Sequence, residues 1–326
     1  MYESFYGLRE RPFELLPNPK FLYLTSRQRE ALSNLQYGLT AARGLTVLIG
    51  EAGTGKTTLI HSAISELRDS TVKYVLLSNP TLTRNEFYEF LARAFGLSDE
   101  AARSKTHFLF ELRRELQQRH LAGVLSALII DEAQSVPYDL LEEVRLLSNV
   151  EMPTVKLLNV VLAGQPELAD RLNETSLRQL KQRISLRCQL TSMDLPETAA
   201  YIAGRIRIAG GRPEQIFTRE SIAAVYAASK GLPRTVNVVC DNALLGGFAA
   251  QVRPINARFV EDVCRDFDIQ RSADLEPAGI AIEDGQPPVQ APPATQSSPP
   301  STPPSADERP EPIFESVSRK RRFSFF

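Results

Sequence analysis

The stretch GEAGTGKTT, residues 50–58, sets three glycines, a lysine and three threonines within nine positions. Gly50, Gly53 and Gly55 free the backbone to curl, so that the N–H groups running through Glu51, Ala52, Gly53 and Thr54 can face a phosphate chain. Lys56 stands where its ammonium reaches the outer phosphates. Thr57 offers a hydroxyl to Mg²⁺, and Thr58 continues into a helix whose positive end adds to the cradle. The apolar run LTVLI precedes this loop and TTLIHSAISEL follows it. Strand, loop and helix thus come in the order that phosphate binding requires.

The stretch LIIDEAQ, 128–134, supplies two adjacent carboxylates after an apolar run. Asp131 falls at the carboxyl edge of a sheet, where nucleotides bind in open α/β folds, and is placed to hold Mg²⁺. Glu132 can polarise a water against the terminal phosphate, as a general base must; the plainer reading is a helix cap. The run NVVLAGQPEL, 159–168, ends its strand at Gln165, whose amide can bind both a phosphate oxygen and the attacking water. The alternative is a turn residue before Pro166.

Two arginine sites complete the set. LRQLKQRISLR holds Arg178 and Arg183 at a helix end, just before a strand. Either guanidinium can project toward a neighbouring subunit's nucleotide and stabilise transition-state charge; a solvated charged face is the alternative. GLPRTVN puts Arg234 in the first turn of a helix opened by Pro233. A cation there opposes the helix dipole unless an anion waits beside it, and a nucleotide phosphate is that anion.

These residues need a scaffold. From 25 to 192, short apolar runs (LTVLI, KYVLLS, SALIID, LLNVVLAG, ISLRCQL) alternate with amphipathic stretches such as NEFYEFLARAFG. That alternation predicts an α/β fold, a P-loop domain with a parallel sheet sandwiched by helices. From 193 to 270 strands vanish. Asp194 with Glu197 reads as a capping box, and helices are expected over 196–209, 219–229, 233–250 and 257–267, a small all-helical lid domain. Residues 1–24 form an aromatic and proline-rich entry segment, too apolar for a free tail, expected to pack on the ATPase core. Residues 271–326 carry 11 of the 22 prolines among Gln, Ser, Thr and Ala, and read as a disordered tail. The tail ends in SRKRRFSFF, four cations beside three phenylalanines, which allows weak contact with anionic lipid; a solvated tail is the plainer reading.

Composition removes other classes. Lys and Arg number 38 against 39 Asp and Glu, so bulk charge demands neither nucleic acid nor a membrane surface. Cys188, Cys240 and Cys264 are scattered and odd in number, which fits a reducing cytosol. His61, His107 and His120 do not cluster as metal ligands. No apolar run nears the roughly 18 residues of a membrane helix, and the acidic N-terminus lacks the apolar core of a signal peptide.

With GEAGTGKTT, LIIDEAQ, LAGQPEL, LKQRI and GLPR in this order, the chain resembles the AAA+ ATPases. The opening YESFYGLRERPFELLPNPKFLYL, followed by REALSNLQYGL, is similar to the ExeA/GspA-type ATPases of bacterial general secretion and their exopolysaccharide-associated relatives. The resemblance spans about 1–267. It implies ATP and Mg²⁺ as ligands, Asp131 serving the metal, Glu132 activating water, and Gln165 as sensor one. It further implies Arg183 as the finger and Arg234 as sensor two. Such ATPases usually continue through a membrane helix into a peptidoglycan-binding region, whereas this sequence ends after the proline-rich stretch. The expectation is therefore the exopolysaccharide branch, or an ATPase working through a separate membrane partner. The chain is expected to hydrolyse ATP as a homo-oligomer, in the cytoplasm or peripheral at the inner membrane, and to assemble or remodel an envelope complex. No phosphoacceptor pocket is legible, which argues against a small-molecule kinase. Two alternatives stand. A DNA-transaction ATPase of the transposition-helper type needs a basic groove, which the near-neutral charge disfavours. A recruitment switch with negligible turnover would act through the tail, and Glu132 argues against it.

Overall fold

The computed structural model describes residues 1–267 apart from 16–18, 22, 42–43 and 68–70. The expected tail, and the end of the expected lid, lie outside the described residues.

Five strands form one parallel sheet: β1 (Leu45–Gly50), β2 (Val72–Leu77), β3 (Leu125–Ile130), β6 (Asn159–Gly164) and β7 (Ile184–Leu190), in the order β2-β3-β6-β1-β7. A two-residue hairpin, β4 (Glu151–Met152) and β5 (Val155–Lys156), stands apart from it. β1 and β6 are buried along their whole length, which is why both read as unbroken apolar runs. β2 and β7 lie at the edges, where exposed and covered residues mix.

Alternate residues of the strands feed two cores. Leu48, Ile129, Val161 and Cys188 pack under helices Ser26–Thr40 and Lys56–Glu66. Val47, Leu128, Val160 and Leu162 pack on the other face under helices Arg84–Phe95, Lys105–Leu121 and Tyr138–Leu147. Fully burying each such side chain contributes about 1.5–3 kcal/mol before entropy is counted. The parallel pairings of β1, β3, β6 and β7, with one register irregularity between β1 and β7 at Leu45 and Thr46, bring Gly50, Asp131, Gln165 and Leu190 to one edge of the sheet.

Beyond β7 the described residues are mainly helical. The capping box of Asp194 and Glu197 opens the helix Leu195–Ile208, with the Glu197 amide donating to the Asp194 carboxylate at 2.8 Å. Helices Arg219–Ser229, Pro233–Ala249 and Ala257–Asp266 follow. The expected helices are present with ends displaced by at most one residue; Asp194, expected as a cap, and Thr218 and Asn256, which the structure adds, each cap a backbone amide of the first turn.

The entry segment, expected on the α/β core, touches it through Leu24 and places its large buried side chains among the C-terminal helices. Tyr2, Tyr6, Leu8, Phe13 and Phe21 share one buried cluster with Ile202, Ile206, Phe217, Val236 and Ile255. The arginine amide at position 9 donates to the Ala209 carbonyl at 2.7 Å, and Arg205 donates to the Pro12 carbonyl. The Tyr2 hydroxyl bonds Asp241. The physical reason is supply of apolar surface. Four short helices enclose too little core alone, and five large side chains from the N-terminus fill it.

All three cysteines are buried and none is in a disulfide. Burial pushes the Cys188 thiol up to about 11 and the Cys240 thiol further upward, so neither carries thiolate at neutral pH. Among the described residues no helix is long and apolar enough to cross a membrane, and no cluster of three metal-ligating side chains occurs.

Candidate nucleotide site

β1 ends at Gly50 and the chain turns at once into the loop 51–55. Gly53 and Gly55 hold φ of 82° and 95°, left-handed values that a Cβ would strain. The loop closes on itself: the Thr54 hydroxyl donates to the Glu51 carbonyl at 2.8 Å. Lys56 opens the next helix yet is only 5% exposed. Its Nζ donates to the carbonyls of Gly50 at 2.8 Å and Glu51 at 3.1 Å. The third N–H has no protein partner among the described residues. Burial holds the Lys56 ammonium below its ordinary pKa, while the Glu132 and Asp131 carboxylates pull the other way. A buried ammonium with a spare donor, beside the orphan amides of a helix N-terminus, is the donor set of an anion site.

Asp131 follows β3 and is buried. Its Oδ2 accepts from the Thr57 hydroxyl at 2.7 Å and its Oδ1 from the Glu132 amide at 2.9 Å. A carboxylate paired with a hydroxyl, both hard oxygen donors, suits Mg²⁺. Glu132 itself adopts φ 52°, a left-handed conformation uncommon for a residue with a side chain. That turn directs the two adjacent carboxylates to different places: Asp131 to Thr57, and Glu132 into the cleft, against Gln134 and Gln165.

Gln165 directly follows β6 and precedes Pro166, the first residue of helix Pro166–Asn173. Its Nε2 lies 3.5 Å from Glu132 Oε2. Arg234 is in the first turn of helix Pro233–Ala249, and its backbone amide donates to the Gly53 carbonyl at 3.2 Å. Its guanidinium lines the cleft with no protein partner among the described residues.

The cleft encloses about 510 Å³ between sheet edge, lid and entry segment. Residues 52–58 line it together with Glu132, Gln165 and Arg234. Gly50 and Glu51 lie at its base and act through their carbonyls; Asp131 meets it through Thr57. Arg183 and Arg178 are not brought there. Both are exposed, flanking the short helix Arg178–Lys181 before β7.

The sequence reading missed several lining residues. Phe21 and Tyr23 come from the entry segment, Tyr201, Arg205 and Asn237 from the lid. The last three form a chain: Arg205 donates to the Tyr201 hydroxyl at 2.6 Å, and that hydroxyl donates to Asn237 Oδ1 at 2.9 Å. The available signal was a tyrosine and an arginine four positions apart in the otherwise apolar YIAGRI. Gln134 was quoted within LIIDEAQ without a role.

A family model described as AAA domain matches residues 40–172. General secretion pathway protein A of Aeromonas hydrophila is 41% identical over 252 residues, which covers 76% of this chain and 45% of that protein. The chain thus spans about half the length of that curated relative. Among solved structures, ORC1 of Aeropyrum pernix in complex with DNA aligns with TM-score 0.60 at 15% identity, covering 79% of this chain and 69% of the other. ORC2 of Aeropyrum pernix in its ADPNP-ADP complexes aligns with TM-score 0.58 at 17% identity, covering 79% and 71%. Cdc6p of Pyrobaculum aerophilum aligns with TM-score 0.59 at 15% identity, covering 77% and 71%. At these identities the solved structures establish the fold alone, an AAA+ P-loop domain followed by helices. Taken with the loop, the paired carboxylates and the lid arginine, the match to the secretion protein makes the chain similar to the AAA+ proteins of the ExeA/GspA type.

Proposed function

We propose that the chain hydrolyses ATP to ADP and phosphate and uses the cycle to assemble or remodel an envelope complex of secretion or exopolysaccharide export. The observation that carries the hydrolytic reading is the divergence of the two adjacent carboxylates. Asp131 is engaged with the Thr57 hydroxyl at 2.7 Å, while Glu132 turns at φ 52° into the cleft. One is thereby committed to cation binding and the other is left to handle a proton.

In this reading Lys56, the amides of 53–58 and Arg234 bind the triphosphate, and Thr57 and Asp131 hold Mg²⁺. Bound Mg²⁺ supplies charge neutralisation across the phosphates. Glu132 accepts the proton of the attacking water at a carboxylate oxygen. Gln165 orients that water through its amide. Arg183, exposed and outside this chain's own cleft, reaches the site of a neighbouring copy, so that the working unit is a homo-oligomer. The envelope setting rests on the relative's name, General secretion pathway protein A; a membrane protein partner and a location in the cytoplasm or at the inner membrane belong to the same proposal.

Phosphate release from ATP tests the reading. The full chain should turn over ATP with Mg²⁺, stop when Mg²⁺ is chelated, and fail in the Lys56→Ala variant. A wild-type protein that binds ATP and releases no phosphate at any concentration would leave only a nucleotide-dependent switch.

A further inference from the structure

The turn after Asp131 contains a side chain with two simultaneous bonds, each to a different part of the hydrolytic machinery. Gln134 Nε2 donates to Glu132 Oε2 at 2.6 Å. Gln134 Oε1 accepts from the backbone amide of Gln165 at 3.0 Å. One amide therefore joins the carboxylate after β3 to the residue after β6. The glutamine amide offers a donor and an acceptor side by side in one planar group.

The surroundings fix this amide. The short turn Ala133–Ser135 that carries it is fastened by Arg171, whose guanidinium donates to the Gln134 carbonyl and, at 2.7 Å, to the Val136 carbonyl. The same guanidinium lies 4.4 Å from the centre of the Tyr138 ring. On the other side, a Cβ on Gly164 would stand 3.0 Å from Gln134 Oε1, so the absence of a side chain there leaves room for the amide.

Glu132 needs such support. Its φ of 52° is a sparsely populated conformation that persists only where the surroundings over-determine it. Its amide is held by Asp131 Oδ1, and its carboxylate is held at Oε2 by Gln134 and, more loosely at 3.5 Å, by Gln165. Among the described residues no hydrogen bond reaches Oε1. The carboxylate is thus anchored through one oxygen with the other left to act.

We propose that Gln134 is a positioning residue for hydrolysis: its donor orients the Glu132 carboxylate through Oε2, leaving Oε1 as the proton acceptor, while its acceptor ties that carboxylate to the backbone of Gln165. The proposal rests on the hydrolytic reading of the site given above. Its two halves separate by substitution. Gln134→Glu keeps an acceptor for the Gln165 amide but removes the donor to Glu132 and sets two carboxylates together. Gln134→Ala removes both.

Hydrogen exchange of the Gln165 amide, measured on the full chain without nucleotide, reads the acceptor half. Exchange should quicken about tenfold or more in Gln134→Ala and stay near wild type in Gln134→Glu, at equal melting temperature. Steady-state ATPase reads the donor half: kcat should fall about tenfold to a hundredfold in both variants with the affinity for a fluorescent ATP analogue unchanged. In a Glu132→Gln background, adding Gln134→Ala should cost nothing further, because its effect passes through Glu132. Equal losses in both backgrounds, unchanged exchange in Gln134→Ala, or a loss of affinity matching the loss of kcat would overturn the assignment. A wild-type chain without turnover would overturn the hydrolytic reading and this role together. Normal wild-type turnover retained in both variants would overturn this role alone.

Discussion

The backbone amide of Arg234 donates to the carbonyl of Gly53 across 3.2 Å, so the lid's longest helix touches the phosphate loop directly. A Cβ on Gly53 would lie 3.0 Å from the Arg234 Cβ, and Gly53 is left-handed at φ 82°. The loop and the lid thus share one contact, and a change in the loop's contents is felt at the root of the lid. Gly53→Ala should reduce affinity for a fluorescent ATP analogue as Arg234→Ala does, each by about tenfold to a hundredfold, the range for a lost bond to a charged group. Titration of the two variants checks this. Wild-type affinity in Gly53→Ala would show that the contact is incidental.

The joint between β7 and the lid depends on Gly231. Its φ is 73°, and a Cβ there would fall 1.8 Å from the Met193 carbonyl oxygen, while the Met193 amide donates back to the Gly231 carbonyl at 3.0 Å. Backbone cannot yield as a side-chain tip can. Gly231→Ala should destabilise the protein by about 3 kcal/mol, from strain and overpacking together, read by urea unfolding. A loss under about 0.5 kcal/mol would mean that the joint relaxes freely.

The N-terminus should behave as part of the lid. Phe13 is fully buried against Phe217, with ring centroids 6.4 Å apart. Phe13→Ala should cost about 3–5 kcal/mol. Hydrogen exchange should rise first in helices Leu195–Ile208 and Arg219–Ser229, before helix Lys105–Leu121, which shares no core with Phe13. Exchange rising first around helix Ser26–Thr40 would return the entry segment to the sheet.

Much of this was legible in the sequence, and the reasons differ by element. The buried strands β1, β3 and β6 declare themselves because both faces are covered and the runs are apolar throughout. The lid helices declare themselves through the Asp194–Glu197 capping box and the loss of strand-like runs after β7, while the Thr218 and Asn256 caps emerged only in the structure. Lys56, Thr57, Asp131 and Arg234 were legible because each is fixed by its own element's end. The destination of the entry segment was not. Composition says that Tyr2, Tyr6 and Phe13 must be buried, but not that partners some 200 residues away do the burying. Gln134 was hidden for the same reason: its bond to the Gln165 amide joins two strand ends that only the sheet brings together. Arg183 lies exposed, outside the cleft of its own chain.

That placement gives an assembly prediction. If Arg183 completes a neighbour's site, specific activity should rise with protein concentration. Mixing Arg183→Ala with Lys56→Ala subunits should restore part of the activity that each lacks alone, at the interfaces where an intact loop meets an intact arginine. Turnover strictly proportional to enzyme from nanomolar to micromolar, with no recovery on mixing, would place the arginine outside the reaction.

The central claim is that Glu132 handles the proton while Lys56, Thr57 and Asp131 hold the ligand, and one paired measurement on Glu132→Gln tests it. The substitution keeps the size of the side chain and removes the carboxylate. ATP-analogue affinity should stay within about threefold of wild type, and phosphate release should fall by about a hundredfold or more, the scale of general-base catalysis. A Glu132→Gln protein that releases phosphate at near the wild-type rate would contradict the account.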